Sequence, residues 1–276
     1  MGERCVILLH VPKTGGSTLK RAIKWKYPAE TLFLETLATP LESIPERVPL
    51  DRRREARAVV GHLHYGVHEH FPRECAYITV LREPVSRVIS SYYYIKGDPR
   101  HWLHDELVRT GMGLEEFVRT SADPGVDNEQ TQLIAGVGSG GLHSGRPVAV
   151  GPDELEQAKR NLERFLVVGI NERFDESFIL IRRALGWKLP MYTSSRVASG
   201  PKPATEAEVE LIRERNRFDL ELYAFAERLM AEAVAAQPPS FRREVAAFRL
   251  LNKVPEAIGP RIPAPVRRGI RAVLPR

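Results

Sequence analysis

The chain has 276 residues, 43% hydrophobic and 28% charged, enough for one large α/β domain or two small ones and too apolar for a disordered chain. No apolar run approaches the ~18 residues of a spanning helix, and Cys5 and Cys75, each in or beside an apolar run, read as buried free thiols without zinc-ligand spacing. The net charge of +6 hides an asymmetry: residues 237–276 carry eight Arg and one Lys against two Glu, while the other 236 balance to −1, so the body is not read as a nucleic-acid binder.

The first strand, Cys5-Val6-Ile7-Leu8-Leu9, begins within five residues of Met1 and leaves no room for a signal peptide. The expected location is therefore the cytoplasm, peripheral at most to the inner face of a membrane. After the strand comes His10-Val11-Pro12-Lys13-Thr14-Gly15-Gly16-Ser17-Thr18-Leu19, then a helix continuing through Lys20 to Lys26. Strand, glycine-containing turn and helix together aim backbone N–H groups at an anion. Ser17 and Thr18 can cap the helix or donate to phosphate oxygens, and Lys13 adds a mobile cation. The lysine precedes both glycines, so this is not a Walker A loop.

Residues 27–50, with four prolines, read as an irregular crossover with a short strand at Thr31 to Glu35. Ala58-Val59-Val60-Gly61 reads as a buried strand ending at His62. Tyr77-Ile78-Thr79-Val80-Leu81 is rich in β-branched residues and ends at Arg82. Pro84 then suits the first turn of a helix to about Lys96. Residues 97–125 show one helix, Leu114 to Thr120. Asp127 to Ile134 looks helical, and the glycine-rich segment 136–145 reads as a flexible lid. Asp153 opens a helix to about Arg164, Phe165 to Ile170 is a buried strand, and Phe174 to Leu185 is a helix. Thr205 to Ala236 is a long amphipathic helix, broken near Arg217-Phe218-Asp219. Gln237-Pro238-Pro239 ends it, dividing a domain of residues 1–236 from a basic extension, 237–276.

Strands alternating with helices predict an α/β, P-loop-like three-layer fold with a central, mainly parallel sheet flanked by helices. Ligands in such sheets gather at the carboxyl ends of the strands. Lys13, His62 and Arg82 all follow strand ends, so the fold brings a cation, a base and a guanidinium fork to one edge.

Four stretches, HVPKTGGSTL (10–19), VVGHLHYGVHEHF (59–71), ITVLREPVSRVISSYYY (78–94) and DNEQTQLIAG (127–136), resemble the sulfotransferase superfamily. The resemblance is nearest to the carbohydrate enzymes that include the heparan sulfate and uronyl 2-O-sulfotransferases. It implies 3′-phosphoadenosine 5′-phosphosulfate (PAPS) as donor, with Lys13, Thr14, Gly15, Gly16, Ser17 and Thr18 on its 5′-phosphosulfate. It likewise puts Arg82 and Ser90 on the 3′-phosphate and, by a looser match, Arg196 in a segment that closes over the donor. His62 becomes the general base, with His64 the alternative, and Lys13 relieves charge on the leaving phosphate. His64, His68, Asn128, Gln130 and Gln132 fall where such enzymes meet the acceptor, here a sugar or a glycolipid-like hydroxyl. No metal is expected. Phe248, Leu250, Leu251, Val254 and Ile258, with Arg267, Arg268 and Arg271, form a candidate membrane-contacting surface in the extension.

Two other readings remain open at this point. One is a P-loop small-molecule kinase, which lacks a lysine after the second glycine and an Mg²⁺-binding aspartate at a later strand end. The other is a non-catalytic binder of anionic glycans.

Overall fold

The structure, a computed structural model, describes residues 4–27, 29–34, 41–121, 123–137, 149–187 and 203–252. Five parallel strands form one sheet: β1 (Cys5–Leu9), β2 (Thr31–Phe33), β3 (Ala58–Gly61), β4 (Cys75–Leu81) and β5 (Val167–Ile170), in the order β2-β3-β1-β4-β5. Every residue of β1, β3 and β5 is buried. Strands covered on both faces need no polar alternation, so they read in the sequence as continuous apolar runs.

Parallel neighbours need crossovers, and these are helical. In chain order the helices are α1 (Gly16–Lys26), α2 (Ile44–Arg47), α3 (Leu50–Glu55), α4 (Pro84–Gly97), α5 (His104–Thr110), α6 (Leu114–Thr120), α7 (Glu129–Ala135), α8 (Pro152–Glu163), α9 (Phe174–Ala184), α10 (Glu206–Arg215), α11 (Arg217–Ala235) and α12 (Ser240–Asn252). Register places Leu9 of β1 between Gly61 of β3 and Thr79 of β4, and pairs Leu81 with Ile170 of β5. His10, His62, Arg82 and Asn171 therefore leave the sheet at one edge.

A second apolar cluster lies on α4, where Val88, Ile95, Leu107 and Phe117 meet Ile212 of α10. Its α5 was not expected, because Leu107 is the one residue of that helix that is buried. The expected break in the long C-terminal helix is present at Asn216. Its amide donates to Val126 O and Ile212 O, each at 2.9 Å.

The chain does not leave the body at Pro239. It enters α12, which buries Phe241, Val245 and Phe248. The Phe248 ring stacks on Phe178 of α9 at 5.0 Å. Glu244 pairs with Arg182 and, at 2.6 Å, with Arg183. The first part of the expected extension is thus packed on α9. Residues 253–276, Arg196 and segment 138–148 lie outside the described residues.

Candidate active site

The loop after β1 folds around two glycines with different tasks. Gly15 has φ +84°, and a Cβ there would lie 2.7 Å from Asn171 Oδ1. Gly16 has no room for a methyl, since a Cβ would sit 2.0 Å from the His10 ring. Lys13 also takes a positive φ, 65°. The buried Thr14 hydroxyl donates to Val11 O at 2.9 Å and closes the turn. α1 starts at Gly16 with no acidic residue in its first turn. Its N-terminal N–H groups and dipole thus favour an anion.

β3 delivers His62 to the same place. His10 N donates to Gly61 O at 3.0 Å, and His62 Nδ1 lies 2.9 Å from His10 O. A carbonyl only accepts, so this bond puts the proton on Nδ1 and the neutral ring's lone pair on Nε2. The two imidazoles stack with centroids 4.6 Å apart. Burial lowers the His62 pKa, and the His10 hydrogen bond opposes that shift. Burial and the neighbouring His62 push His10 well below its ordinary value. Both rings are therefore neutral at pH 7.

Arg82, at the end of β4, ties two strand ends together by donating to Lys13 O at 3.0 Å. Its own main chain is gripped by one side chain: Arg82 N donates to Gln130 Oε1 at 3.0 Å, and Gln130 Nε2 donates to Arg82 O at 2.9 Å. Arg82 Nε is buried and makes no hydrogen bond; Glu172 Oε1 is 4.0 Å away. Burial lowers the guanidinium pKa, opposed by Glu172 and Glu83, but a guanidinium remains charged. Glu83 caps α4 by accepting from Val85 N and Ser86 N, a contact worth about 1 kcal/mol. Lys13 Nζ rests 4.0 Å from the centroid of Tyr94. Tyr94 is one helical turn beyond the half-buried Ser90 on α4, so Ser90 shares the face turned towards the lysine.

A buried ionic group fixes α7, and with it Gln130. Arg87 is wholly buried, pairs with Glu129, donates to Gly125 O at 2.8 Å and stands 3.8 Å from Asp219. Asp219 accepts from Gln130 N at 3.2 Å and from Thr131 N and Oγ1 at 2.7 and 2.8 Å, capping α7 from another helix.

A lysine loop at a helix N-terminus, a neutral histidine with its lone pair on Nε2 and a half-buried guanidinium whose Nε makes no hydrogen bond stand at one sheet edge. The profile of the sulfotransferase family matches residues 2–226. The chain belongs to the sulfotransferase family.

Relatives within that family carry different names. Heparan-sulfate 6-O-sulfotransferase 1 of Homo sapiens is 24% identical over 297 residues, covering 88% of this chain and 69% of that protein. Galactose-3-O-sulfotransferase 2 of Sus scrofa is 29% identical over 165 residues, 55% of this chain and 38% of that one. Heparan sulfate 2-O-sulfotransferase hst-2 of Caenorhabditis elegans is 26% identical over 193 residues, covering 65% and 59%. A crystal structure of mouse sulfotransferase SULT7A1 complexed with PAP aligns over 99% of this chain and 90% of that one, at 15% identity and a TM-score of 0.38; at that score the likeness carries no argument.

Among the expected site residues, Lys13, Thr14, Gly15, Gly16, Ser17, Thr18, His62 and Arg82 lie along the one edge, and Ser90 joins them through its helix face. His64 is buried just beyond His62. His68 lies apart: its Nδ1 is 3.0 Å from Tyr77 Oη, and its ring packs on Tyr65 and Tyr77. The three amides of segment 127–136 have partners inside the fold. Asn128 Oδ1 accepts from Phe218 N and Asp219 N, capping α11, while its Nδ2 donates to Asp127 and Arg215 O. Gln130 grips Arg82, and Gln132 Nε2 donates to Asp127 O at 2.6 Å. Among the described residues, no group of three or more His, Cys, Asp and Glu side chains is placed to hold a metal ion.

Four further residues at this edge lie outside the set expected from the sequence. His10 opens the loop, and its carbonyl holds the His62 ring through Nδ1 at 2.9 Å. Asn171 and Glu172 follow β5 directly, so the rule that points to strand ends would have found them. Tyr94 was legible as one turn after Ser90.

Proposed function

We propose that the chain transfers a sulfuryl group from PAPS to a hydroxyl on a carbohydrate acceptor. The observation that carries this reading is the His62–His10 hydrogen bond, which gives a neutral base with its lone pair on Nε2 beside a lysine loop. Gly15 and Gly16, with the N-terminus of α1, form a backbone cradle suited to the 5′-phosphosulfate. Arg82 Nε, buried without a hydrogen bond, suits the 3′-phosphate, with Ser90 on the adjoining helix face. The names of the relatives, three kinds of carbohydrate sulfotransferase, support a sugar acceptor.

The chemistry follows from those positions. His62 Nε2 takes the acceptor hydroxyl's proton as the oxygen attacks sulfur in line. The new O–S bond forms as the bond from sulfur to the bridging phosphate oxygen breaks. Lys13 and the α1 N-terminus stabilise the charge gathering on that oxygen. The products are a sulfate ester and 3′-phosphoadenosine 5′-phosphate. Lys13 must leave the Tyr94 face to reach the oxygen, a movement within its four-carbon stem.

Calorimetry with 3′-phosphoadenosine 5′-phosphate, ADP and ATP tests the donor half without requiring the acceptor. Tighter binding of the doubly phosphorylated nucleotide is expected. Equal or tighter binding of ATP, strengthened by Mg²⁺, would overturn the reading in favour of a kinase. Mass-resolved transfer from PAPS to heparan-type and galactose-terminated glycans then tests the acceptor half.

A further inference from the structure

The two cysteines lie at the sheet edge opposite the candidate active site. Cys5 opens β1, Cys75 opens β4, and the register pairs them directly. Cys5 N donates to Glu74 O at 2.9 Å, holding the two strand starts together. Neighbouring residues in register on parallel strands point to the same face, with backbones ~4.8 Å apart. That separation falls within the Cα spacing that a disulfide spans, ~4.4–6.8 Å.

Their surroundings differ in a useful way. Cys5 is fully buried, whereas Cys75 is half-buried. The proximity of the two thiols lowers the Cys75 pKa and raises that of Cys5; the Arg73 guanidinium favours the anion. Cys75 Sγ also lies 3.4 Å from Arg73 O. A partly exposed thiol beside a cation, with a second thiol in reach, is the arrangement of a cysteine that oxidises reversibly.

We propose that Cys75 reacts with hydroperoxides and that Cys5 resolves the product into a disulfide across β1 and β4. In the first step the Cys75 thiolate attacks the peroxide. An S–O bond forms, the O–O bond breaks, and the leaving oxygen departs as water or an alcohol after taking a proton. In the second, Cys5 sulfur attacks Cys75 sulfur. The S–S bond forms, the S–O bond breaks, and hydroxide leaves as water with the Cys5 proton. Two thiols lose two electrons in all, and the peroxide gains them. The crosslink closes a loop that holds the phosphate loop and β3, and so draws stability from the unfolded chain's lost freedom.

The test uses the full chain. The native protein is treated with hydrogen peroxide, quenched, denatured without reductant and alkylated, and its intact mass and peptides are read. The expected product has lost two hydrogen atoms, takes up no alkylating agent, yields a Cys5–Cys75 linked peptide and reverts with dithiothreitol. Its melting temperature is higher than that of the reduced protein. In Cys5→Ser, dimedone should label Cys75 after peroxide. Both thiols alkylating as in the untreated protein, a sulfinic acid at Cys75 without a crosslink, or a linkage between two chains would each overturn the proposal. The wild-type measurement decides the matter even where a variant fails to fold. None of these readouts depends on sulfuryl transfer.

Discussion

Nδ1 of His62 stands 2.9 Å from the carbonyl oxygen of His10, the residue that follows β1. One strand end thus sets the tautomer of the ring on the next. Burial lowers the His62 pKa below its ordinary 6.5. In the proposed mechanism His62 acts deprotonated, so kcat/KM should be level from neutral pH upward and fall only as the pH drops through a midpoint below 6.5. His62→Ala should cut turnover by roughly 10²–10⁴-fold while leaving nucleotide binding intact. A pH profile still rising above pH 7, or a larger loss in His64→Ala, would assign the base elsewhere.

Lys13 Nζ lies on the Tyr94 ring face, and in the proposed reaction it would stabilise the leaving phosphate oxygen. Lys13→Ala should nearly abolish transfer, an effect worth roughly two to three powers of ten or more. Tyr94→Leu removes the aromatic face that holds the lysine, and Tyr94→Phe keeps it. Kinetics with PAPS should show a change in kcat for the leucine variant and little for phenylalanine. Equal losses in both would point to the Tyr94–Asp98 hydrogen bond instead of the ring face.

Gln130 holds Arg82 by both main-chain groups. Gln130→Ala should therefore weaken 3′-phosphoadenosine 5′-phosphate more than ADP, on the order of tenfold for a lost charge-positioning contact. Titration calorimetry with the two nucleotides gives the ratio. A uniform loss for both would mean that the substitution loosened α7 in general. Arg82→Ala should show the same selectivity, and more strongly.

Glu129 offers a pH test of the fold. Burial pushes its carboxyl up to about 7, against the attraction of Arg87. The folded chain then keeps a proton that the unfolded chain releases from about pH 4.5. This contribution to stability is complete below about pH 4.5 and is lost as the pH rises through about 7. Glu129→Gln cannot titrate. The stability difference, wild type minus variant, should fall across that window by up to about 3 kcal/mol. Denaturant unfolding at several pH values reads it, and a rising difference would show that the Arg87 pairing outweighs desolvation.

Much of the fold was legible because its strands are buried on both faces. Four apolar runs marked four strands, the short strand expected at Thr31 is β2, and the ends of the first, third and fourth strands marked the edge that carries Lys13, His62 and Arg82. Polar segments were harder to read. Asn128, Gln130 and Gln132 have the composition of a ligand-facing surface, and the backbone groups they hold belong partly to residues 215–219, some ninety positions away. Local pattern carries no information about such partners. Gln237-Pro238-Pro239 does end the long helix, α11 stopping at Ala235, but prolines also precede helices, and α12 follows. The role of His10 was hidden for another reason: a main-chain carbonyl has no sequence signature.

The fit of Gly16 against the His10 ring makes these two positions a single steric unit. A methyl at position 16 has no place unless the His10 ring shifts, and that ring is stacked on His62. Gly16→Ala would then be read first in the His10–His62 stack and only second in the loop itself. Drift at either position is constrained by the other, so in descendants of this chain substitutions at 10 and 16 should arise as matched pairs.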